Sequence, residues 1–506
     1  MTQPLTRDET RDEIHARAVA ALTADELADI VDLVVWVDDV DGGPVACAAN
    51  HLGTVRLHPG GAHEVLSGRD PIASEDPMGF LPYEREIASE GPRRSIDNVY
   101  PYAAERILSL FADPTRSPDL AVVHTPRHYF PDEGGHLGEH GSLDVVQSRA
   151  PLVLSGAGVT RRSYVDEHAH LADVGPTLAF LAGVPREDLR DASGAPLDGT
   201  VLDAYLDPAT SPRAVVGVLW DGAHCGDLLH LAETGELPAV ARLVSRGVAL
   251  RGGAVAQFPS VTLANHTSIL TGVGPGRHGV LGNVFYDRDT GERVVPNDET
   301  TWHRSAEWLR PGVRTVYEMV ADHVAFEGFP RTASIDEAID RGSDYSTMTV
   351  IRESGSGNGA GGLGDRLPPA DQSPFLGDRA FLEDGYFRWG VSVDDLGLAQ
   401  VRELFTDPAR MPRLTWWANV VTDAGHHGAG PRSPMARDSL RQADARLGVF
   451  LDHLEALGVL DDVAFLLTAD HGFEAADTTV TGSWRPALES LGVPFRDEGP
   501  GFVYLL

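Results

Sequence analysis

The chain has 506 residues, 42% of them hydrophobic, with 41 basic and 75 acidic residues and a formal net charge of -34. That apolar content can bury a large core, while the acidity excludes coating by nucleic acid or anionic membrane, whose phosphates would be repelled over most of the surface. Every basic residue is arginine, and a phosphorylated small molecule stays compatible if metal cations reverse the local field. Two distant cysteines, Cys47 and Cys225, exclude a disulfide framework and a thiolate metal cluster.

In chain order, the first stretch, MTQPLTRDETRDEIHARAVAAL, is charged and lacks the apolar core of a signal peptide. No apolar run reaches the ~20 residues of a membrane span. The expectation is a soluble, cytoplasmic protein whose residues 1–30 form a helical extension, with a surface helix over 16–30. A strand is predicted at VDLVVWV (31–37), and four further apolar runs matter most: DLAVVHTP (119–126), AVVGVLWDG (214–222), LTWWANVVTD (414–423) and VAFLLTADHG (463–472). Each ends in Asp, His or a loop containing them. Buried parallel strands read this way, and α/β sheets bind ligands beyond the carboxyl ends of their strands. The fold class is therefore α/β, a mostly parallel central sheet flanked by helices. Residues 193–213 read as a connector, with 201–213 its core, leading into a main catalytic core over 214–506. Within that core an inserted cap is predicted over about 295–400, and its Gly/Ser/Pro-rich stretch 353–375 reads as a surface loop.

FPSVTLANHTSILTGVGPGRHGVLGN (258–283) places Thr262 at the start of a helix predicted over 263–271. A hydroxyl there can cap free backbone N–H groups, and those N–H groups with the helix dipole attract an anion such as phosphate. Asn265, three residues on, could donate to a phosphoryl oxygen. Asp221 follows one strand, Asp470 and His471 another, and Asp423 and His427 a third, at i and i+4. Carboxylates and imidazoles suit zinc and similar divalent metals, and two such metals can activate a hydroxyl nucleophile. Taken singly, each piece has an ordinary explanation as a cap, a turn or a solvated loop; together, all at strand ends, they do not.

FPSVTLANHTSILTG with PGRHGVLGN, VLWDG, DAGHHGAGP and TADHG resembles the nucleotide pyrophosphatase/phosphodiesterase branch of the alkaline phosphatase superfamily. The resemblance covers most of residues 213–506 outside the insertion, and it implies an alkaline phosphatase-like fold with two divalent metals, zinc by custom and manganese or another ion as substitutes. One metal would be held by Asp221, Asp470, His471 and the Thr262 oxygen, the other by Asp423, His427 and one more histidine. Thr262 would attack phosphorus to form a phospho-threonine that water hydrolyses, and Asn265 would steady the phosphoryl oxygens. The family pattern Asp-x-x-Gly-His is altered here to Asp423-Ala-Gly-His426-His427; the spacing to Gly430-Pro431 favours His427, with His426 the rival.

The family's last histidine, inside a His-Gly motif, follows the Asp-His pair at a distance, yet no histidine follows His471. The missing part stands at the front. GGHLGEHGSLDVVQSRAPLVLSGAGV (134–159) holds His140-Gly141 before an apolar strand, with His136 as rival ligand; HLADVGPTLAFLAGVP (170–185) resembles the family's closing helix and Asp198-Gly199 its closing turn. Residues 31–200 thus resemble the family's C-terminal third placed first, part of the same catalytic domain, in a circularly permuted order that closely spaced termini tolerate. This order predicts that the strand at 119–124 joins the sheet of the strands ending at Asp221 and Asp470, and that residue 31 lies near Leu506.

The expected activity is metal-dependent hydrolysis of phosphodiester or pyrophosphate bonds in a small molecule. The alternatives are a carbon–phosphorus hydrolase of a small phosphonate such as phosphonoacetate, or a phosphomonoesterase. A sulfatase is disfavoured, because its Cys-x-Pro-x-Arg pattern is absent and Cys225 sits in CGDLL. A metal-stabilised binding protein without catalysis would be expected to lack the nucleophile, and Thr262 is present. Oligomeric state is not legible at this level.

Overall fold

The computed structural model describes residues 10–40, 42–88, 97–298, 300–353, 367–499 and 501–506. The helix expected at 16–30 runs over Arg11–Leu22 instead. Its start is set by Thr10, whose hydroxyl accepts from the Glu13 N–H while the Glu13 carboxylate accepts from the Thr10 N–H. Such a reciprocal cap is worth about 1 kcal/mol.

Two large sheets organise the described residues. The first is antiparallel and contains β1 (Val31–Val40), β2 (Gly43–Asn50), β3 (Gly53–His58), β4 (Ala62–Gly68), β5 (Leu120–His124), β19 (Phe495–Glu498) and β20 (Phe502–Leu505), in the order β19-β20-β5-β1-β2-β3-β4. Strand alternation splits its residues between two cores. Leu33, Val35, Ala46 and Ala48 face the main core, whereas Val34, Trp36, Cys47 and Ala49 pack with Ala18 and Leu22 of the first helix and with Trp484 and Leu488.

The second sheet carries the site. Its strands are β7 (Arg149–Gly156), β8 (Ser163–Val165), β9 (Ala169–His170), β10 (Ala214–Trp220), β11 (Gly247–Val255), β14 (Thr332–Ile335), β15 (Tyr345–Ser346), β16 (Leu414–Asn419) and β17 (Val463–Thr468). The order is β15-β14-β16-β10-β17-β7-β11-β8, with β9 also on β11. All pairings are parallel except those of β7, which runs antiparallel to β17 and β11. The mostly parallel sheet expected from the apolar runs is thus present. The strands β10, β16 and β17 are buried throughout because both faces are covered by helices. Gly217 belongs to this packing: a Cβ there would stand 2.3 Å from the Trp416 ring. Two short ribbons complete the strands, β6 (Gly138–Glu139) with β18 (Glu474–Ala475) and β12 (Phe285–Asp287) with β13 (Glu292–Val294).

Four expectations need correction. The strand at 119–126 does not join the site-bearing sheet; β5 pairs with β1 and β20 in the antiparallel one. Residues 31–200 are accordingly divided, β1–β5 building the antiparallel sheet and β7–β9 extending the other. The region 295–400 is not simply a cap, since β14 pairs with β16 and the helix Gly385–Leu404 packs on that strand. Short strands flanked by polar loops hid this from the apolar pattern. The loop expected at 353–375 lies largely outside the described residues. Residue 31 also departs from expectation: β1 and β20 both flank β5, but Val31 is level with His124 and Val503 with Leu120, so the start of β1 and the end of β20 lie at opposite ends of that strand. No helix among the described residues is long and apolar enough to cross a membrane.

Candidate active site

A cavity of about 640 Å³ opens at the carboxyl ends of β10 and β16, and Asp221, Thr262, His140, Asp423 and His427 all line it. Two groups of metal-type donors meet there. The first is Asp221, Asp470 and His471, the second His140, Asp423 and His427, with the donor atoms of each group within 4.8 Å of one another.

Strand ends build the first group. The Asp221 N–H donates to the Asn419 carbonyl of the neighbouring strand at 2.9 Å. Asp470 follows β17, and its Oδ1 accepts from the Gly222 N–H at 2.9 Å. That leaves Asp470 Oδ2 3.1 Å and Asp221 Oδ1 3.7 Å from His471 Nε2. Gly222 is required between the two groups: its φ is +60°, and a Cβ would fall 2.8 Å from Asp423 Oδ1.

A helix and a distant loop build the second group. Asp423 and His427 lie on the helix Val421–Ala429, where the i to i+4 spacing puts them on one face, Oδ1 and Nε2 3.6 Å apart. His140 arrives from the loop after β6, which is held in place by pairing with β18, just beyond His471. Its ring stacks on that of His471, centres 3.7 Å apart, and its Nε2 lies 3.2 Å from His427 Nε2.

The donor chemistry fits a pair of cations. The Nδ1–H groups of His140, His427 and His471 each face a backbone carbonyl, of Ser260, Gly138 and Gly472 respectively. This fixes the tautomer and leaves the Nε2 lone pairs converging on the cavity side. Asp221 Oδ1, Asp423 Oδ1, Asp470 Oδ2 and His471 Nε2 are all buried without a hydrogen-bond partner, a costly condition that a shared cation would relieve. Burial drives the His427 and His471 rings down to about 3, so both are neutral and ready as ligands. Burial also raises Asp470 to about 6, and raises Asp221 with help from the charges of Asp470 and Asp423.

The rival histidines separate clearly. His426 is fully buried, donates through Nδ1 to the Thr422 carbonyl at 2.6 Å and accepts at Nε2 from the His224 N–H at 3.4 Å, so it joins neither group. His136 lies beside His427, ring centres 4.2 Å apart, in a separate grouping with Glu139. His140, and not His136, shares a donor group with Asp423.

Thr262 is the first residue of the helix Thr262–Thr271, at the cavity wall. Val261 occupies the cap position without a side-chain bond, so the Thr262 hydroxyl is not a cap as the sequence suggested. The expectation for Asn265 is also corrected. Its Oδ1 accepts from the Gln257 N–H and its Nδ2 donates to the Pro259 and Val261 carbonyls, so the amide is spent on bracing the preceding loop. Asn283, from HGVLGN, stands at the cavity instead, its Oδ1 accepting from the Leu263 N–H at 3.1 Å.

His266 was also missed. Its Nδ1 meets Glu337 at 2.8 Å, while its Nε2 lies 3.7 Å from Asp221 Oδ2 and 3.6 Å from Asp470 Oδ2. The signal was its i+4 spacing from Thr262, which puts both on one helix face.

The sequence profile of the type I phosphodiesterase / nucleotide pyrophosphatase family matches residues 215–491, more than half of the chain. An uncharacterized pyrophosphatase/phosphodiesterase of Schizosaccharomyces pombe is 36% identical over 229 residues, 43% of this chain and 37% of that one. The alkaline phosphatase PafA of Elizabethkingia meningoseptica is 35% identical over 91 residues, 18% of this chain and 16% of that one. The chain therefore spans well under half the length of these curated relatives. Similar solved structures include phosphonoacetate hydrolase from Sinorhizobium meliloti 1021 in complex with phosphonoformate, 24% identical with a TM-score of 0.34, covering 52% of this chain and 57% of that one. Murine ectonucleotide pyrophosphatase / phosphodiesterase 5 in complex with AMP is 18% identical with a TM-score of 0.36, covering 51% and 57%. On the span of the profile match, the chain belongs to the type I phosphodiesterase / nucleotide pyrophosphatase family.

Proposed function

We propose that this protein hydrolyses a phosphodiester or pyrophosphate bond in a small molecule, with Thr262 as nucleophile and two divalent cations, zinc by preference, at the paired donor groups. The single observation that carries the reading is that the two donor groups lie side by side, His140 stacked on His471, at a cavity lined by Thr262, Asp221, His140, Asp423 and His427. Asp221, Asp470 and His471 would hold one cation with the Thr262 oxygen, and His140, Asp423 and His427 the other; when bound, the pair supplies Lewis-acid activation and neutralises developing negative charge.

The chain's own residues do the rest. The Thr262 hydroxyl sits at the positive end of its helix dipole, a favourable place for a phosphoryl group. Its oxygen attacks phosphorus as the leaving oxygen departs on the opposite side, and water cleaves the phospho-threonine in the second half of the cycle. Asn283, held by the Leu263 N–H, is oriented to donate its amide N–H to a phosphoryl oxygen, the role first expected of Asn265. His266, braced by Glu337, positions the Asp221 and Asp470 carboxylates.

The permuted chain order belongs to the same proposal. His140 lies outside the span of the profile match, yet its ring stacks on His471 within it. The strand that follows, β7, inserts between β17 and β11. These contacts support, for the β6–β7 part of residues 31–200, the reading that this stretch is the family's C-terminal third placed first.

Hydrolysis of a chromogenic phosphodiester with added zinc tests the function. Chelation should abolish it, and zinc, manganese or cobalt should restore it. Full activity after verified metal removal would exclude the mechanism.

A further inference from the structure

A third group of metal-type donors borders the second. His136, Glu139 and His427 bring their donor atoms within 4.8 Å of one another, and His136 Nδ1 lies 3.7 Å from Glu139 Oε1. Two imidazoles and a carboxylate are a ligand set that suits zinc and leaves a fourth position for water. The backbone holds the three together. The Leu137 N–H donates to the His427 carbonyl, and the Gly138 carbonyl accepts from His427 Nδ1. The loop that carries His136 and Glu139 is thus bonded to the residue that completes the group. Glu139 is further fixed by its pairing with Glu474 in the β6–β18 ribbon.

The second and third groups share one atom. His427 spends Nδ1 on the Gly138 carbonyl, so Nε2 is the nitrogen left for a metal. The same Nε2 lies 3.2 Å from His140 Nε2 and 3.6 Å from Asp423 Oδ1. One lone pair serves one cation at a time, which makes the two groups alternative places for a single ion. They differ in depth. The side chains of His136 and Glu139 are 38% and 17% exposed, whereas that of Asp423 is 6% exposed. All of these residues line the same cavity. Taking a charge out of water is expensive, and an outer station with three protein ligands and a water position divides that cost into two steps.

We propose, resting on the two-cation reading above, that His136, Glu139 and His427 form an outer cation site through which the second cation enters and leaves. His427 keeps the ion while His136 and Glu139 are exchanged for His140 and Asp423. His136, the rival of His140 for the inner position, then serves the same ion at an earlier stage.

Blocking the inner position tests this. His140→Ala removes an inner ligand and leaves the outer three in place. With zinc alone added, the full-length variant should still bind two equivalents in equilibrium dialysis, and anomalous scattering should place the second ion against His136 and Glu139. Adding Glu139→Gln to it should bring binding down to one equivalent. In the otherwise unaltered chain, Glu139→Gln and His136→Ala should each keep two equivalents at equilibrium and slow release of the second to a chelator by about tenfold. The release rates decide the matter alone if His140→Ala does not fold. One equivalent in folded His140→Ala, a second ion there that does not touch His136, or unchanged release rates in the single variants would each overturn the outer site. Failure of the two-cation reading shows differently, as a second ion that sits with His136 and Glu139 in the unaltered protein. The outer site would then stand and the inner one would not.

Discussion

The two donor groups are made in different ways. Asp221, Asp470 and His471 hang from the ends of adjacent parallel strands, β10 and β17, whose register is fixed by residue-by-residue pairing. His140, Asp423 and His427 come from a helix and from a loop 287 residues away along the chain, which meet where the Leu137 N–H donates to the His427 carbonyl and His427 Nδ1 faces the Gly138 carbonyl. A group made of strand ends inherits its geometry from the backbone of a buried sheet. A group made between a helix and a distant loop depends on those few bonds and on the two-residue β6–β18 ribbon that pins the loop beyond His471. The second group should therefore be the easier to lose.

Thr262 stands between these groups in function, and its removal should have the largest effect. Thr262→Ala should lower turnover by about three orders of magnitude or more, on the scale of lost covalent nucleophiles. Thermal unfolding should change little, since the hydroxyl makes no cap bond. Near-normal turnover of the metal-loaded variant would refute the assignment.

The two asparagines offer a sharper contrast. Asn283→Ala should reduce kcat by about 100-fold, as when one oxyanion donor is removed, and lower stability by only about 1 kcal/mol through the lost Leu263 N–H bond. Asn265→Ala should do the reverse in kind, destabilising the fold by about 2–4 kcal/mol because buried backbone groups lose their partners. Parallel kinetics and melting curves separate them, and a purely kinetic loss in Asn265→Ala would restore it to the site.

Proton competition distinguishes the donors within a group. Asp221 and Asp470 are both raised by burial, Asp470 to about 6, and take protons before the imidazoles as pH falls, whereas burial keeps His427 and His471 neutral down to about 3. Metal binding needs the ionised carboxylates, so zinc affinity should fall as pH drops through their raised range, by about tenfold per pH unit for each protonated group. An affinity that holds until about pH 4, where ordinary carboxylates titrate, would show that the two are not raised. The smallest effect belongs to His426, whose nitrogens are both used within the protein: His426→Gln should leave metal content unchanged.

How far this was legible in sequence follows the same division. Apolar runs ending in Asp announced β10, β16 and β17 and with them Asp221, Asp423 and Asp470, because buried parallel strands carry a continuous pattern. The placement of His140 came from a vacancy in a family pattern, as no local signal marks a lone histidine. The antiparallel sheet was misassigned at β5, since an apolar five-residue run does not say which sheet it joins. Asn265 is expected at the site for its nearness along the chain to Thr262, and Asn283 carries no such local signal. The helix turns the Asn265 amide back onto its own loop, and Asn283, twenty-one positions after Thr262, reaches the cavity. His266 was overlooked although its spacing from Thr262 placed it on the same face.

The most direct test is anomalous scattering from zinc in crystals of the full-length protein. Two peaks are expected, one among Asp221, Asp470 and His471, the other with the Nε2 atoms of His140 and His427 at about 2.0–2.1 Å beside Asp423. A single peak, or a second peak that His140 does not touch, would contradict the two-cation site and the permuted order together.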